Sequence, residues 1–318
     1  MKKNNVLVQR RSSVLGKRIS ELALKAIIGE LSTSPKPGLV DRYNCGSHKD
    51  MNYFMFVKSG FVVAQFFEEI VEIGKEFKGE NLTDLFVLIR PLGVKAEEEM
   101  FIATGGINTH KGIIFLMFIL CAAIGYLSKT YEYQDRINNI INGKKQADVV
   151  SISGEICHVA SKMVKGITEN ELNVLLLKKD LDVENLTHGE KLFLEYQSTG
   201  IRGEVESGFK SVLTYGLPII SQNRDVLCRD KLFVQTIFSL MSHVDDTNIL
   251  HRHDHKVLTE VQEKSRAFLD NGGVFQTNGM ELVKIIDQHF INKNISPGGC
   301  ADLLAVTIFL ALLDGMID

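Results

Sequence analysis

Apolar residues recur along this chain at helical spacing. Ile19, Leu22, Ala23, Ala26 and Ile27 fall on one face. Ile156, Val159, Ala160, Met163, Val164 and Ile167 repeat the i, i+3, i+4, i+7 pattern of a half-buried helix. The same period predicts helices over 52–75, 230–252, 255–269 and 280–291, while alternating, strand-like stretches are scarce. Asn271-Gly272-Gly273 predicts a helix stop, and Ser296-Pro297 a start with proline in the first turn. The expected fold class is therefore all-α. One stretch departs from the amphipathic pattern: 112–127 is uncharged throughout, and 303–313 repeats that character over a shorter length. We expect a single globular multi-helix domain over 15–318, built around 112–127 as a central apolar helix and preceded by a flexible segment, 1–14. The polar, irregular region 166–189 could divide two lobes, but the motifs on both sides of it read as parts of one site.

Composition narrows the picture. A chain of 318 residues can bury a large core. Its net charge of -3 and pI near 6.3 argue against nucleic acid and anionic membrane surfaces as partners. Both apolar runs are short of the roughly 20 residues needed to span a bilayer, and their flanks lack membrane anchors, so no membrane association is expected. The five cysteines are scattered and form no Cys-x-x-Cys pair, which favours reduced thiols and a cytoplasmic protein. Met1-Lys2-Lys3 begins like an export signal, but no apolar region follows, so export is not expected.

Five clusters break the helical pattern with glycine, proline, histidine and carboxylates. Ser34-Pro35-Lys36-Pro37-Gly38-Leu39-Val40-Asp41-Arg42 is a stiff loop carrying two cations, with His48 and Asp50 close behind. Thr104-Gly105-Gly106-Ile107-Asn108-Thr109-His110-Lys111-Gly112 leads into the apolar run. Its glycines allow close backbone approach, and a helix start offers unpaired N–H groups to an anion. Gly200-Ile201-Arg202-Gly203-Glu204 places an arginine suited to bidentate phosphate contact beside an acid, although taken alone it reads more readily as a surface turn. Within the predicted helix 230–252, Asp245, Asn248 and Arg252 share a face. The adjacent acids Asp245 and Asp246 would be unfavourable inside an apolar helix unless a cation uses them, which suggests metal ligation. Ser296-Pro297-Gly298-Gly299-Cys300-Ala301-Asp302 repeats the Gly-Gly pair at a helix start and adds a carboxylate.

Taken together and in this order, the five clusters resemble the triphosphoribosyl-dephospho-coenzyme A synthase family, over about 34–302. Pro35-Lys36-Pro37-Gly38-Leu39-Val40-Asp41, the Thr104–Gly112 stretch, Arg202-Gly203-Glu204, Asp246-Thr247-Asn248 and Ser296-Pro297-Gly298-Gly299 all look like its signatures. The resemblance implies an enzyme that condenses ATP with 3'-dephospho-coenzyme A and releases adenine. The triphosphate stays on the transferred sugar. The product would serve the acyl-carrier prosthetic group of citrate lyase or malonate decarboxylase, through an acyl-carrier-protein transferase.

That resemblance implies the following site. Lys36, Arg42, Lys111, Arg202 and Arg252 are the candidate cations for the triphosphate, with Gly105, Gly106, Asn108, His110, Asn248, Gly298 and Gly299 around it. Mg²⁺ would be held by Asp245, Asp246 and Asp302 together with phosphate oxygens and water. The linkage formed is inverted, so one carboxylate would act as base for the attacking hydroxyl, and Glu204, Asp246 and Asp50 are the ordered candidates. Lys36, Lys111 and Arg202 are expected in one cleft with the Gly105-Gly106 and Gly298-Gly299 backbones. A homodimer is compatible with this reading. The competing readings are a Mg-dependent helical nucleotide phosphohydrolase and a non-catalytic helical scaffold or membrane protein.

Overall fold

The computed structural model describes residues 13–130, 132–133, 135–137, 151–177, 184 and 186–318. Most of the expected flexible segment 1–14 lies outside the described residues.

The first helix, α1 (Val14–Ser32), starts where the Ser13 hydroxyl accepts the Gly16 N–H. Its expected inner face is buried at Ile19, Ala23, Ala26 and Ile27, and Leu22 packs partly exposed beside them. Asn52 caps α2 (Tyr53–Glu76), again through a side-chain oxygen. Next, α3 (Leu82–Thr104) ends at Gly105 in the left-handed conformation, φ 69°. The uncharged run becomes α4 (Lys111–Leu127), in which every residue from Leu116 to Gly125 is buried. A helix apolar on all sides must be covered on all sides, and α2, α3 and the helix at Ser153–Met163 supply that cover.

Helices α2 and α4 approach each other closely. A Cβ on Gly74 would lie 2.1 Å from the Ala122 carbonyl oxygen, and one on Gly125 would lie 2.0 Å from that of Val71. Two glycines facing opposite backbones let the helices touch along their main chains. The second apolar run becomes α14 (Gly298–Leu313), buried continuously from Leu303 to Leu313 and packed against α1 and α10 (Arg229–Met241). No helix among the described residues is long and apolar enough to cross a membrane.

Between these come short elements: α5 (Ser153–Met163), α6 (Ile167–Glu171), α7 (His188–Tyr196), α8 (Gly200–Glu206), a π-helical turn at Val212–Gly216 and α9 (Leu217–Asn223). One contiguous core takes Ile19, Leu120, Ile156, Val205, Phe238 and Phe309 together, so the irregular middle does not split two lobes. A small separate cluster of Leu172, Leu175 and Phe193 lies under that middle region. The described residues contain helices and turns and no strand, in agreement with the all-α expectation.

One predicted element is corrected. The stretch 230–252 is two helices: α10 ends at Met241, and α11 (Thr247–Arg252) begins after a turn. Ser242 closes α10 by donating to the Ser239 carbonyl, and Asp246 opens α11 as its cap. The apolar period runs through the turn because Val244 packs on the core, which hides the break from a periodicity argument. The chain then continues through α12 (His255–Asp270) and α13 (Gly279–Asn292), close to expectation.

The α2–α4 contact yields a test. Gly125→Ala should lower the unfolding free energy by roughly 1–3 kcal/mol, the usual cost of overpacking. Gly93→Ala in α3, where an added Cβ meets nothing within 4 Å, should be neutral or stabilise by up to about 1 kcal/mol. Urea denaturation of the two variants checks both signs.

Candidate functional site

Asp246 organises the site. It is 1 % exposed, and its Oδ1 accepts the N–H groups of Asn248 (2.8 Å) and Ile249 (3.3 Å), capping α11. Its Oδ2 accepts the Cys300 N–H at 2.7 Å, in the first turn of α14. One carboxylate thus joins two helix N-termini, where negative charge is favoured by unpaired N–H groups. The glycines before Cys300 make this possible. A Cβ on Gly299 would lie 3.1 Å from the Asp246 carboxylate, and one on Gly298 would lie 3.0 Å from the Asn248 amide. Burial raises the Asp246 carboxyl above its ordinary range, and the N–H groups oppose that rise. The expectation of two acids within a helix is therefore corrected. Asp245 precedes α11 and does not share a helical face with Asn248 and Arg252.

A cleft of about 510 Å³ opens beside this carboxylate. It is lined from three separate segments: Gly200, Gly203 and Glu204 of α8, His243–Thr247, and Gly299 with Leu303 of α14. Gly200-Ile201-Arg202-Gly203-Glu204 is a helix start rather than a surface turn. The absence of a Cβ at Gly203 leaves room for Thr199, whose hydroxyl would otherwise be 1.9 Å away. Glu204 Oε1 accepts the N–H groups of Ser211 (2.9 Å) and Val212 (3.3 Å), and Oε2 accepts the Ser211 hydroxyl at 2.8 Å. The carboxylate is thereby held at the start of the π-helical turn, and burial raises it above the ordinary range. Two of the three candidate bases, Glu204 and Asp246, share this cleft. Lys210 also lines it and was missed from sequence, because no glycine or motif marks it.

The expected cations are not gathered in this cleft. Lys36, Lys111 and Arg202 are not among the residues lining the cleft, and each has its own carboxylate. Lys36 is buried, with Nζ on the Glu30 carboxylate and on the Glu30 carbonyl oxygen at 3.1 Å. Lys111 pairs with Glu97 at 2.9 Å. Arg202 donates to Glu171 at 2.9 Å, and Glu171 also pairs with Arg90. Arg42 binds Asp230 at 2.7 Å and leans on Ser34. Arg252 instead links two clusters: it donates to the Ser47 carbonyl (3.1 Å) and meets His48 Nδ1 (3.0 Å), while His48 Nε2 meets Ser296 Oγ at 2.9 Å. Asp50 is exposed beside that chain, close enough to act electrostatically on Arg252 and His48. Gly105 and Gly106 both have positive φ (69° and 91°) with nothing near a Cβ, so this turn presents an open backbone. Asn108 accepts the Lys111 N–H at 3.2 Å and caps α4 from outside.

Behind Gly299 lies a buried polar centre. Asp302 sits against the α-carbon of Gly112, where a Cβ would come within 1.9 Å of its Oδ2. Burial, then the nearby charges of Glu30 and Asp246, hold its carboxyl well above the usual range, with Lys36 opposing. His110 is 3 % exposed; its Nδ1 meets Ser59 Oγ at 2.7 Å, and that hydroxyl also meets Thr109 Oγ1 at 2.6 Å. Burial, and then the Lys36 charge, push His110 down to about 3, and its Nε2 has no hydrogen-bond partner among the described residues. His110, expected around the triphosphate, is a neutral, interior ring. Asp302 stays partly exposed, with its carboxyl raised mainly by burial. Among the described residues, no group of three or more His, Cys, Asp or Glu could hold a metal ion without further ligands. Glu30 was missed, although the sequence carries a signal: it continues the apolar face of Ala23, Ala26 and Ile27.

Residues 16–317 match the family model described as ATP:dephospho-CoA triphosphoribosyl transferase. The chain is 35% identical over 291 residues to a probable 2-(5''-triphosphoribosyl)-3'-dephosphocoenzyme-A synthase of Lactiplantibacillus plantarum, covering 91% of this chain and 95% of that protein. A protein of the same name from Malonomonas rubra is 36% identical over 297 residues, covering 93% and 87% of the two chains. Protein CitXG of Leuconostoc mesenteroides subsp. cremoris is 34% identical over 301 residues, and the chain spans only 60% of that protein's length. No solved structure matches.

The neutral His110 predicts a pH dependence. Its folded pKa, about 3, lies below its unfolded value near 6.5, so between those limits the unfolded chain binds the extra proton. Its contribution to stability is complete above about pH 6.5 and is lost as pH falls toward 3, by roughly 1 kcal/mol per pH unit. The raised acids Glu30, Asp246 and Asp302 give the opposite slope. The difference between wild type and His110→Gln therefore isolates the histidine. Denaturation between pH 7 and pH 5 should show the wild type losing more stability than the variant.

Proposed function

The chain belongs to the ATP:dephospho-CoA triphosphoribosyl transferase family, and from that premise we propose how its cleft carries out the transfer. The reaction moves the triphosphoribosyl group of ATP to the ribose hydroxyl of 3'-dephospho-coenzyme A. It releases adenine and gives 2'-(5''-triphosphoribosyl)-3'-dephospho-coenzyme A. The observation that carries the placement is the convergence of Gly200–Glu204, Asp245–Thr247 and Gly299, distant in sequence, on one 510 Å³ cleft. Product would pass to an acyl-carrier-protein transferase in the cytoplasm.

This is pentosyl transfer: the C1'–N9 bond of ATP breaks, a bond from the acceptor oxygen to C1' forms, and the phosphates are spectators. The chain must orient two nucleotides, accept a proton from the hydroxyl and stabilise an oxocarbenium-like sugar. Glu204 suits the proton. Its position is fixed by three donors, Oε2 carries only one of them, and burial makes it a stronger base than an exposed carboxylate. Asp246 is better suited to fixing the α11 and α14 N-termini, whose remaining N–H groups can face phosphate oxygens. Of the candidate cations, Lys210 lines the cleft directly, and the Arg252–His48–Ser296 chain adjoins the same helix start.

Magnesium fits in a limited way. A triphosphate-bound Mg²⁺ needs one or two carboxylates besides phosphate and water. Asp245 is exposed at the cleft and its Oδ1 meets only the Gln262 amide, so it can supply such a contact. The ion would neutralise triphosphate charge while this chain's own groups position the sugar.

Two outcomes test the reading. Incubating the chain with ATP, dephospho-coenzyme A and Mg²⁺ should release adenine in step with a coupled product seen by mass spectrometry; release of phosphate without adenine would favour a phosphohydrolase. Glu204→Gln should lower that turnover by at least about 10²-fold, the usual contribution of a general base. The acids at 245 and 246 should separate by role. Asp246→Ala should cost about 2 kcal/mol or more of stability by stripping a cap and a buried acceptor. Asp245→Asn should leave the denaturation midpoint unchanged while raising the Mg²⁺ concentration needed for half-maximal turnover.

A further inference from the structure

Among the described residues lining the cleft, His243 is the one aromatic ring. It is exposed, yet it is held on two sides. Tyr215 of the π-helical turn stacks on one face, with ring centres 3.8 Å apart and planes 9° from parallel. His243 Nδ1 lies 3.1 Å from the Ser239 carbonyl oxygen and 2.8 Å from Ser242 Oγ. The Ser242 hydroxyl donates its own proton to that same carbonyl at 2.8 Å. A carbonyl can only accept, and the serine proton is already committed, so both contacts require the proton on Nδ1. Ser239 completes the frame by donating its hydroxyl to the Tyr215 carbonyl at 2.8 Å. The ring is therefore fixed in plane and tautomer, while Nε2 has no hydrogen-bond partner among the described residues. Nothing in the core needs this arrangement, because the residue sits at the surface of the cleft.

A base leaving a sugar needs the complement of Glu204: a group that gives a proton. We propose that His243 protonates the departing adenine, its Nε2–H meeting the purine N7 while the ring edge guides the base. This rests on the transfer reaction proposed above. As the C1'–N9 pair withdraws onto the purine, the Nε2 proton passes to N7 and imidazolium becomes neutral imidazole. The acceptor hydroxyl bonds to C1' and its proton passes to Glu204. Adenine leaves neutral, and solvent returns the proton from the carboxyl side to the imidazole. The charged groups around His243 are Glu204, Lys210, Asp245 and Asp246 in the cleft, and Arg266, which donates to the Ser242 carbonyl.

The test pairs a variant with a nucleotide. His243→Asn keeps an N–H for Ser239 and removes Nε2, and 7-deaza-ATP lacks the N7 that would receive the proton. With ATP, the variant should turn over about 10²- to 10⁴-fold more slowly, the range of general acid catalysis. Wild type should lose a similar factor on 7-deaza-ATP, and the variant should lose nothing further on it. A variant slowed relative to wild type by the same factor on 7-deaza-ATP as on ATP would mean a merely structural ring and overturn the proposal. Wild type that uses 7-deaza-ATP as fast as ATP would overturn it without any variant, should the substitution impair folding. Wild type that releases no adenine from ATP would instead remove the transfer reading itself, and this proposal with it.

Discussion

The rest of the site depends on one buried carboxylate that accepts three backbone N–H groups from two helices. Asp246 ends the turn after α10, opens α11 through Asn248 and Ile249, and fastens the first turn of α14 through Cys300. Each of those N–H groups would otherwise be an unpaired donor at a helix start, and a buried orphan donor costs about 1–3 kcal/mol. The carboxylate satisfies all three at once, but only if no side chain intervenes. That is why two glycines stand immediately before Cys300 and lie against Asn248 and Asp246. Displacing any one of these groups would shift the α14 start relative to α11, and with it the floor of the cleft.

The two apolar helices make that joint rigid. A helix apolar on every side has no freedom to roll, since any rotation would expose what it buries. Helix α4 is further locked by backbone contact at Gly74 and Gly125, and α14 by α1 and α10. Both begin at the functional end of the molecule: α4 at His110 and Gly112, α14 at Gly298. Asp302 of α14 presses on Gly112 of α4 and so couples the two starts. Beside those starts, Lys36 pairs with Glu30 and acts electrostatically on both His110 and Asp302. The family's reaction handles a highly charged nucleotide, and a fixed frame of buried dipoles can be arranged before the substrate arrives.

Much of this was legible in the sequence. The periods around Ile19 and Ile156, the uncharged run in α4 and the glycine-marked helix starts are local signals, and local signals survive folding. The glycine pairs read as places where the backbone meets a ligand; Gly298-Gly299 lies against a protein amide and carboxylate, and Gly105-Gly106 stays open. The partnerships of charged side chains were not legible. Lys36 and Arg202 look like free cations in sequence, yet each meets a glutamate, Glu30 and Glu171, that no motif announces. The break between α10 and α11 was hidden because Val244 keeps the apolar rhythm through a turn. Asp246 therefore looked like an acid inside an apolar helix, when it is a cap. Lys210 and the Tyr215–His243 stack arise only because a π-helical turn brings residues 211–216 over the end of α10. In each case the missing information was a contact between distant residues, which a pattern along the chain does not encode.

The central claim is that the cleft between α8, α11 and the start of α14 is where ATP reacts. Without the acceptor nucleotide no transfer can occur, so a crystal structure of the chain with ATP alone would report the ground-state complex directly. The account predicts the ribose beside Glu204, the purine edge at His243 Nε2 and phosphate oxygens facing the α11 and α14 N-termini. Nucleotide bound at the Gly105-Gly106 turn or another surface, with this cleft left to solvent, would contradict it.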